Sequence, residues 1–268
     1  MLVRNQVKRL LRIALRCRAN LRLRSLRKRV WGRCGTIERC FGYTVHIADG
    51  PNFYMQYKDD YVRRIYHFDA IRPDPLIIDG GSNIGMSILY FKSVYPAARV
   101  IGFEPDPNIF GLLQENMARN GIDGVTLVNA ALSTGCGNAL FEPDGGAGGR
   151  LGKEGEGGVS IRTAVLSGCL DDEVDFLKLN IEGAELSVLE EAAAGDRLRR
   201  VREIVVEYHG WPAAKQQLGT ILSLLDQQGF RYLVHDFDAE SCGTSKPPFR
   251  LTPQTTWFCL VYARRMGD

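Results

Sequence analysis

Between Leu76 and Gly85 the chain runs Leu-Ile-Ile-Asp-Gly-Gly-Ser-Asn-Ile-Gly and continues as Met-Ser-Ile-Leu-Tyr-Phe. An apolar run that stops at a carboxylate, passes three glycines and resumes as an apolar segment is the feature that most restricts the fold. Leu76, Ile77 and Ile78 follow Pro75 without interruption, which suits a strand covered on both faces of a parallel sheet. Gly80 and Gly81 allow a sharp turn with backbone close to a ligand, and Gly85 opens a helix packed on the strand. The unit predicted is strand, tight turn, helix, with a ligand above the strand's carboxyl end. Ser82 or Asn83 is placed to cap that helix, which is expected to run to Tyr95 before Pro96.

The spacing Asp79-x-Gly81-x-x-x-Gly85 differs from the Gly-x-Gly-x-x-Gly of dinucleotide sites and puts an acid inside the loop. Pyrophosphate would be repelled there, whereas Asp79 would attract an ammonium or lie near a sulfonium. A glycine turn in an unrelated α/β protein is the plain alternative. A second apolar run, Arg99 to Glu104, ends at a carboxylate 25 residues beyond Asp79. An acid at that place can accept both ribose hydroxyls of an adenosine. Helical spacing over Pro107 to Asn120, a third strand over Val125 to Asn129 and the small pair Ala130-Ala131, where an adenine ring can lie flat, complete a β-α-β-α-β unit.

Further along, Phe176 to Asn180 reads as strand four, followed by a helix through Leu186 and Leu189. Lys178, Asn180 and Glu182 alternate, so an extended chain would turn all three toward the cleft beside Asp79. A buried Lys178 requires a carboxylate partner. Strand five, Glu203 to Tyr208, ends at His209-Gly-Trp-Pro212. A helix over Ala213 to Gln228 and two final strands, Phe230 to Val234 and Thr256 to Tyr262, follow. Ahead of the core, Gly35 to Ile47 reads as a β-hairpin turning near Gly42, and Tyr61 to Phe68 as a short helix. The aromatics Phe53, Tyr54, Tyr57, Tyr61, Tyr66 and Phe68 serve either as core or as the wall of a substrate cleft. Asp144 to Gly158 holds eight glycines and reads as a lid or a surface insertion.

The net charge of +3 conceals an asymmetry: residues 1–33 carry twelve Lys or Arg and no acid, leaving −9 for the rest. Val3, Val7, Leu10, Ala14, Cys17 and Leu21 form an apolar stripe through this basic arm. Such a helix suits an anionic membrane surface; a solvated extension, or a helix packed on the globule, is the alternative. No interleaved aromatics point to nucleic acid. Seven cysteines without a Cys-x-x-Cys pair fit reduced thiols in a cytoplasm rather than disulfides or a zinc site. No run approaches the ~20 apolar residues of a membrane span. The expected organisation is a basic arm (1–33), a hairpin with a helix (34–74) and a main domain (75–268), cytoplasmic and peripheral at the inner membrane face.

Taken together, Asp79-Gly-Gly-Ser-Asn-Ile-Gly85, Phe103-Glu-Pro-Asp106, Asn129-Ala-Ala131, Lys178-Leu-Asn-Ile-Glu-Gly-Ala-Glu185 and Val206-Glu-Tyr-His209 resemble the FkbM family of S-adenosylmethionine-dependent methyltransferases. The resemblance spans residues 75–235 in order. It implies an α/β fold of the class I methyltransferase, Rossmann-like kind: a seven-stranded, mostly parallel sheet between helical layers, its last strand antiparallel. It also implies that the loop Asp79, Gly80, Gly81, Ser82, Asn83 and Gly85 holds the methionine moiety, Glu104 with Pro105 the ribose, and Asn129 with Ala130 the adenine. The family usually has Asp where this chain has Asn180, which keeps an acceptor for the cofactor's amino acid but loses a charge.

An O-methyltransferase must align a hydroxyl with the methyl and remove its proton. His209 is the first candidate base and Glu182 the second, with Glu182 also able to orient His209 or Lys178. As structural alternatives, His209 caps the loop before Pro212 and Glu182 caps the following helix. His46, His67 and His235 lack ligand spacing, and no metal is expected. The acceptor expected is a hydroxyl of a small molecule, sugar, glycan or lipid-linked saccharide. A catalytically degenerate binding domain and a nicotinamide-dependent oxidoreductase are the competing readings; Asn180 favours the former and Asp79 disfavours the latter.

Overall fold

The computed structural model describes residues 21–143, 149–151, 158–212, 214–235, 247–248 and 250–266. Most of the basic arm, residues 1–20, and most of the glycine-rich segment lie outside the described residues. Helical turns at 21–30 (α1) lead to a hairpin of β1 (Cys34–Cys40) and β2 (Tyr43–Asp49), reversing at Phe41-Gly42 as the sequence predicts. Leu26 and Val30 of α1 are buried in the core. Arg29 Nε and Arg33 Nη1 each donate to the buried Glu38 carboxylate at 2.9 Å. This end of the basic arm therefore packs on the globule.

The helix expected at Tyr61 to Phe68 lies earlier. Asp49 accepts from Asn52 N at 2.9 Å and Pro51 stands in the first turn, which starts α2 at Gly50–Gln56. A π-helical turn, Tyr57–Arg63, follows directly and stops at Arg64, whose φ is 58°. Phe53, Tyr61, Tyr66 and Phe68 are buried, and within this aromatic group the cleft described below is lined by Tyr66. Most of the group is core.

The main sheet joins β3 (Leu76–Gly80), β4 (Arg99–Phe103), β5 (Val125–Val128), β10 (Val174–Leu179), β11 (Val201–Gly210), β12 (Phe230–His235) and β13 (Trp257–Arg265). Among the described residues its order is β12-β13-β11-β10-β3-β4-β5. β13 is antiparallel to both neighbours and the other pairings are parallel, which is the class I methyltransferase arrangement. The helices are α3 (Met86–Val94), α4 (Pro107–Arg119), α5 (Glu185–Ala194) and α6 (Leu218–Gln227), the last starting five residues later than expected.

Period-two alternation divides the core into two layers. Ile77 and Phe176 pack with α3, α4, the hairpin and α2, whereas Leu76, Ile78, Leu177 and Leu179 pack with α5 and α6. By the same parity, Asp79 and Lys178 fall on the hairpin side, in register across β3 and β10. The strand order reverses between these two strands, so the crevice at their carboxyl ends is where such a sheet binds its ligand. Asn116 of α4, fully buried, ties the hairpin to this layer: it accepts from His46 N at 2.7 Å and donates to His46 O and Ile84 O.

A smaller sheet of β6 (Ala131–Ser133), β7 (Gly137–Glu142), β8 (Arg150–Leu151) and β9 (Val159–Val165) stands beside β5, in the order β6-β9-β7-β8. The sequence gives an extended pattern for the last of these and no sign of the sheet as a whole. In sequence its strands flank 144–148 and 152–157, which lie outside the described residues.

Candidate active site

The turn after β3 is built on a close approach. Gly81 has φ +83°, and a Cβ there would lie 1.9 Å from Asn180 O, so this position accommodates glycine alone. Gly81 N and Ser82 N both donate to Phe103 O, at 3.1 and 2.8 Å, which ties the turn to the end of β4. Neither Ser82 nor Asn83 caps α3; the helix begins after Gly85, which has φ 94°. Ser82 Oγ donates to Asp79 O instead, and Asn83 N donates to Glu104 Oε2 at 2.9 Å.

Asp79 is fully buried and spent inside the protein. Its Oδ1 accepts from Lys178 Nζ at 2.7 Å and its Oδ2 from Ser87 Oγ at 2.5 Å. The expectation that Asp79 meets a ligand cation directly is therefore corrected: it meets Lys178. Lys178 Nζ also donates to Gly81 O at 2.8 Å and Gly80 O at 3.3 Å, and stands 5.3 Å from the Tyr66 ring centre. With its donors directed at these acceptors, Lys178 holds the turn in shape rather than serving as a proton carrier.

A cleft of about 930 Å³, counting its open mouth, runs along the carboxyl ends of β3, β4 and β10. Of the residues singled out by sequence, Gly81, Ser82, Asn83, Glu104, Pro105, Ala130, Lys178, Asn180 and Glu182 line it. Asp79, Gly80, Gly85, Asn129 and His209 do not. Asn129 Nδ2 donates to Glu104 O at 2.8 Å and Pro105 O at 3.1 Å, so it shapes the wall from behind. Gln56, Asp60, Tyr66, Ser87, Leu132 and Phe141 join the lining. Tyr66 was visible only as one aromatic in a group, and Asp60 carries no motif.

Three features match an adenosyl cofactor. The Glu104 carboxyl accepts Asn83 N through one oxygen and Asp106 N through the other, both at 2.9 Å, leaving a lone pair on each for paired hydroxyls. Pro105, Ala130, Ala131 and Leu132 give a flat apolar surface beside it. Asn180 Oδ1, at the opposite end, is buried with no hydrogen-bond partner among the described residues, an acceptor suited to an ammonium. Burial raises the Glu104 pKa to about 7, against the two backbone N–H groups that favour its charge.

Beyond Asn180 the chain turns through left-handed Glu182 (φ 57°) and Gly183 (φ 106°). Lys178, Asn180 and Glu182 thus reach the cleft around a turn, not along one extended strand. Glu185, the first residue of α5, braces that turn by accepting Ile181 N and Gly183 N at 3.0 Å each. His209 is enclosed between Trp211, stacked at 5.1 Å, and Phe258, edge-on at 4.8 Å. Its Nε2 is 3.8 Å from both Glu182 Oε2 and Glu207 Oε1. Burial lowers its pKa, against the pull of Glu185. His209 therefore lies beside Glu182 but outside the lining of this cleft, against a second pocket that it shares with Gly183, Tyr208 and Trp211.

A family model described as the methyltransferase FkbM domain matches residues 79–232, the span that contains all these cleft-building turns. The chain belongs to the FkbM methyltransferase family. Methyltransferase sdnD of Sordaria araneosa is 29% identical over 215 residues, which cover 65% of this chain and 80% of that protein. The 2-O-methyltransferase NoeI of Sinorhizobium fredii is 30% identical over 181 residues, 58% of this chain and 72% of that protein. The hexuronic acid methyltransferase AglP of Haloferax volcanii is 32% identical over 146 residues, 51% of this chain and 56% of that protein. As an FkbM-family methyltransferase the chain uses S-adenosylmethionine, and Glu104, the Gly81 turn and Asn180 are the groups that would hold its ribose, backbone-proximal atoms and amino acid.

The raised pKa of Glu104 sets a pH dependence. Ribose hydroxyls donate to the ionised carboxylate, so affinity is weak below pH 7, rises through it and levels above. Between pH 6 and pH 8 the affinity for S-adenosylhomocysteine is expected to rise about tenfold, following the ionised fraction. Calorimetric Kd values at the two pH values measure this; Glu104→Gln should flatten the profile, and a flat wild-type profile would count against the assignment.

Proposed function

We propose that this FkbM-family enzyme is an O-methyltransferase whose acceptor is a hydroxyl of a saccharide, free, in a glycan or lipid-linked. The observation that carries the reading is the chemistry of the cleft beyond Asn180. The lining includes Asp60 and Glu182, together with Gln56, which donates to Asn83 Oδ1 at 2.8 Å, and Tyr66, whose hydroxyl donates to Glu207 at 2.7 Å; these polar groups suit an acceptor with several hydroxyls. The activities for which NoeI and AglP are named, 2-O-methylation and methylation of a hexuronic acid, support the same class.

When bound, S-adenosylmethionine supplies a methyl group already activated by its sulfonium. What remains for the protein is to align the hydroxyl, exclude water and accept a proton. Glu182, on the turn after Asn180, lines the cleft and is placed to accept hydrogen bonds from hydroxyls of the acceptor. Lys178 and Asp79 fix the turn against which the cofactor lies. Asn180 retains an acceptor oxygen, so the change from the family's usual acid does not by itself require a degenerate site.

Labelled S-adenosylmethionine, incubated with the enzyme and with saccharide and lipid-linked saccharide extracts, is expected to give label stable to base and located by mass spectrometry on a sugar oxygen. Label on protein, nitrogen or carbon acceptors would contradict the substrate class. Absence of transfer, with S-adenosylhomocysteine still bound, would favour a binding domain.

We also infer attachment to an anionic membrane surface at the cytoplasmic face through residues 1–33. The twelve basic residues without an acid support it, as does Trp31, 52% exposed, with the Arg27 guanidinium 4.5 Å from its ring centre. Among the described residues no helix is long and apolar enough to cross a membrane. Because Leu26 and Val30 belong to the core, the test removes residues 1–20 only. Sedimentation with anionic liposomes should fall sharply on that removal; equal sedimentation of both forms would end the idea.

A further inference from the structure

Asp60 lies on the π-helical turn Tyr57–Arg63, an irregularity that often accompanies functional side chains because it changes their aim. It lines the cleft and is 4% exposed. Its carboxyl makes no hydrogen bond or ion pair with any described residue. Burying such a group without a partner is costly, and the cleft is the side from which a partner can reach it. Glu182 also lines the cleft, with His209 Nε2 3.8 Å from its Oε2.

The charges that act on Asp60 come from its own turn and from three strands. Lys178 on β10 attracts its negative charge; Asp59 on the same turn, Asp79 on β3 and Glu207 on β11 repel it. The phenols of Tyr61, Tyr66 and Tyr90 also face it. Lys178 is itself paired with Asp79. Burial therefore dominates and lifts the Asp60 carboxyl well above the ordinary carboxylate range, and a cation entering the cleft would favour its ionised form.

We propose that Asp60 is the catalytic proton acceptor of methyl transfer, its carboxylate charge balanced before reaction by the sulfonium of the bound cofactor. The inference rests on the methyl-to-hydroxyl reading above. In the step, the acceptor oxygen bonds to the methyl carbon, the carbon–sulfur bond breaks with its electron pair left on sulfur, and the hydroxyl proton passes to Asp60. A cation and a carboxylate become a neutral thioether, a neutral ether and a carboxylic acid. No net charge is stranded in the buried cleft at either stage.

The test needs no acceptor. Full-length enzyme is titrated calorimetrically at pH 7 with S-adenosylmethionine and with S-adenosylhomocysteine, each in two buffers of different ionisation enthalpy, which counts the protons released. Glu104 answers both ligands alike, since both carry the ribose, so the difference isolates the group that reads the sulfonium. S-adenosylmethionine should release up to about one proton more than S-adenosylhomocysteine. Asp60→Asn should abolish that excess while S-adenosylhomocysteine binds within about threefold of wild type, a check that the fold is intact. Equal release by both ligands in the wild type, or an unchanged excess in Asp60→Asn, overturns the assignment of Asp60. If neither ligand binds, the methyltransferase reading falls with it.

Discussion

The buried pair of Lys178 and Asp79 is the contact on which the site depends. Both side chains are all but excluded from solvent, at 3% and 0% exposure, and such pairs persist only when the geometry is good and the remaining hydrogen-bonding capacity is met. Here it is met: Ser87 occupies the second Asp79 oxygen, and the carbonyls of Gly80 and Gly81 take further Lys178 donors. The pair bridges the two strands between which the sheet order reverses. It therefore fixes the glycine turn at the place where the backbone must approach a cofactor. Removing one partner alone would leave an uncompensated buried charge, typically about 3–5 kcal/mol.

Around this neutral pair the cleft is acidic. Glu104 and Asp60, which both line it, have carboxyl groups raised by burial. A cleft lined by such acids favours a ligand that brings positive charge and hydroxyl donors. S-adenosylmethionine brings both. Its product keeps the hydroxyls and loses the sulfonium charge, so the same wall that favours the substrate form of the cofactor holds the product form less firmly.

The strands and most of the helices of the main domain were legible because their patterns are local: an apolar run ending in Asp79, another ending in Glu104, Asp106 ahead of Pro107 for α4. Alternation placed Lys178 in the cleft and burial demanded a carboxylate for it, yet which carboxylate depends on strand order. Topology sets Asp79 beside it, and in doing so removes Asp79 from direct contact with the ligand. His209 illustrates the same limit. Its position at a strand end is visible in sequence, whereas the Trp211 and Phe258 rings that enclose it come from a turn and from a distant antiparallel strand. Asp60 had no signal, because its place in the cleft follows from how the hairpin and the π-helical turn fold back over β3 and β10. The start of α2 has a local signal in the Asp49-Gly-Pro51 cap, whereas the aromatic spacing farther on points to a later helix.

A double-mutant cycle on the buried pair tests the account most directly. Asp79→Asn, Lys178→Met and the double variant are compared by calorimetric affinity for S-adenosylhomocysteine, with circular dichroism confirming the fold. Each single change should weaken binding by about tenfold or more, and the double change should be no worse than the weaker single variant, since the two side chains act as one unit. Single variants that fold and bind like the wild type, or losses that simply add, would contradict it.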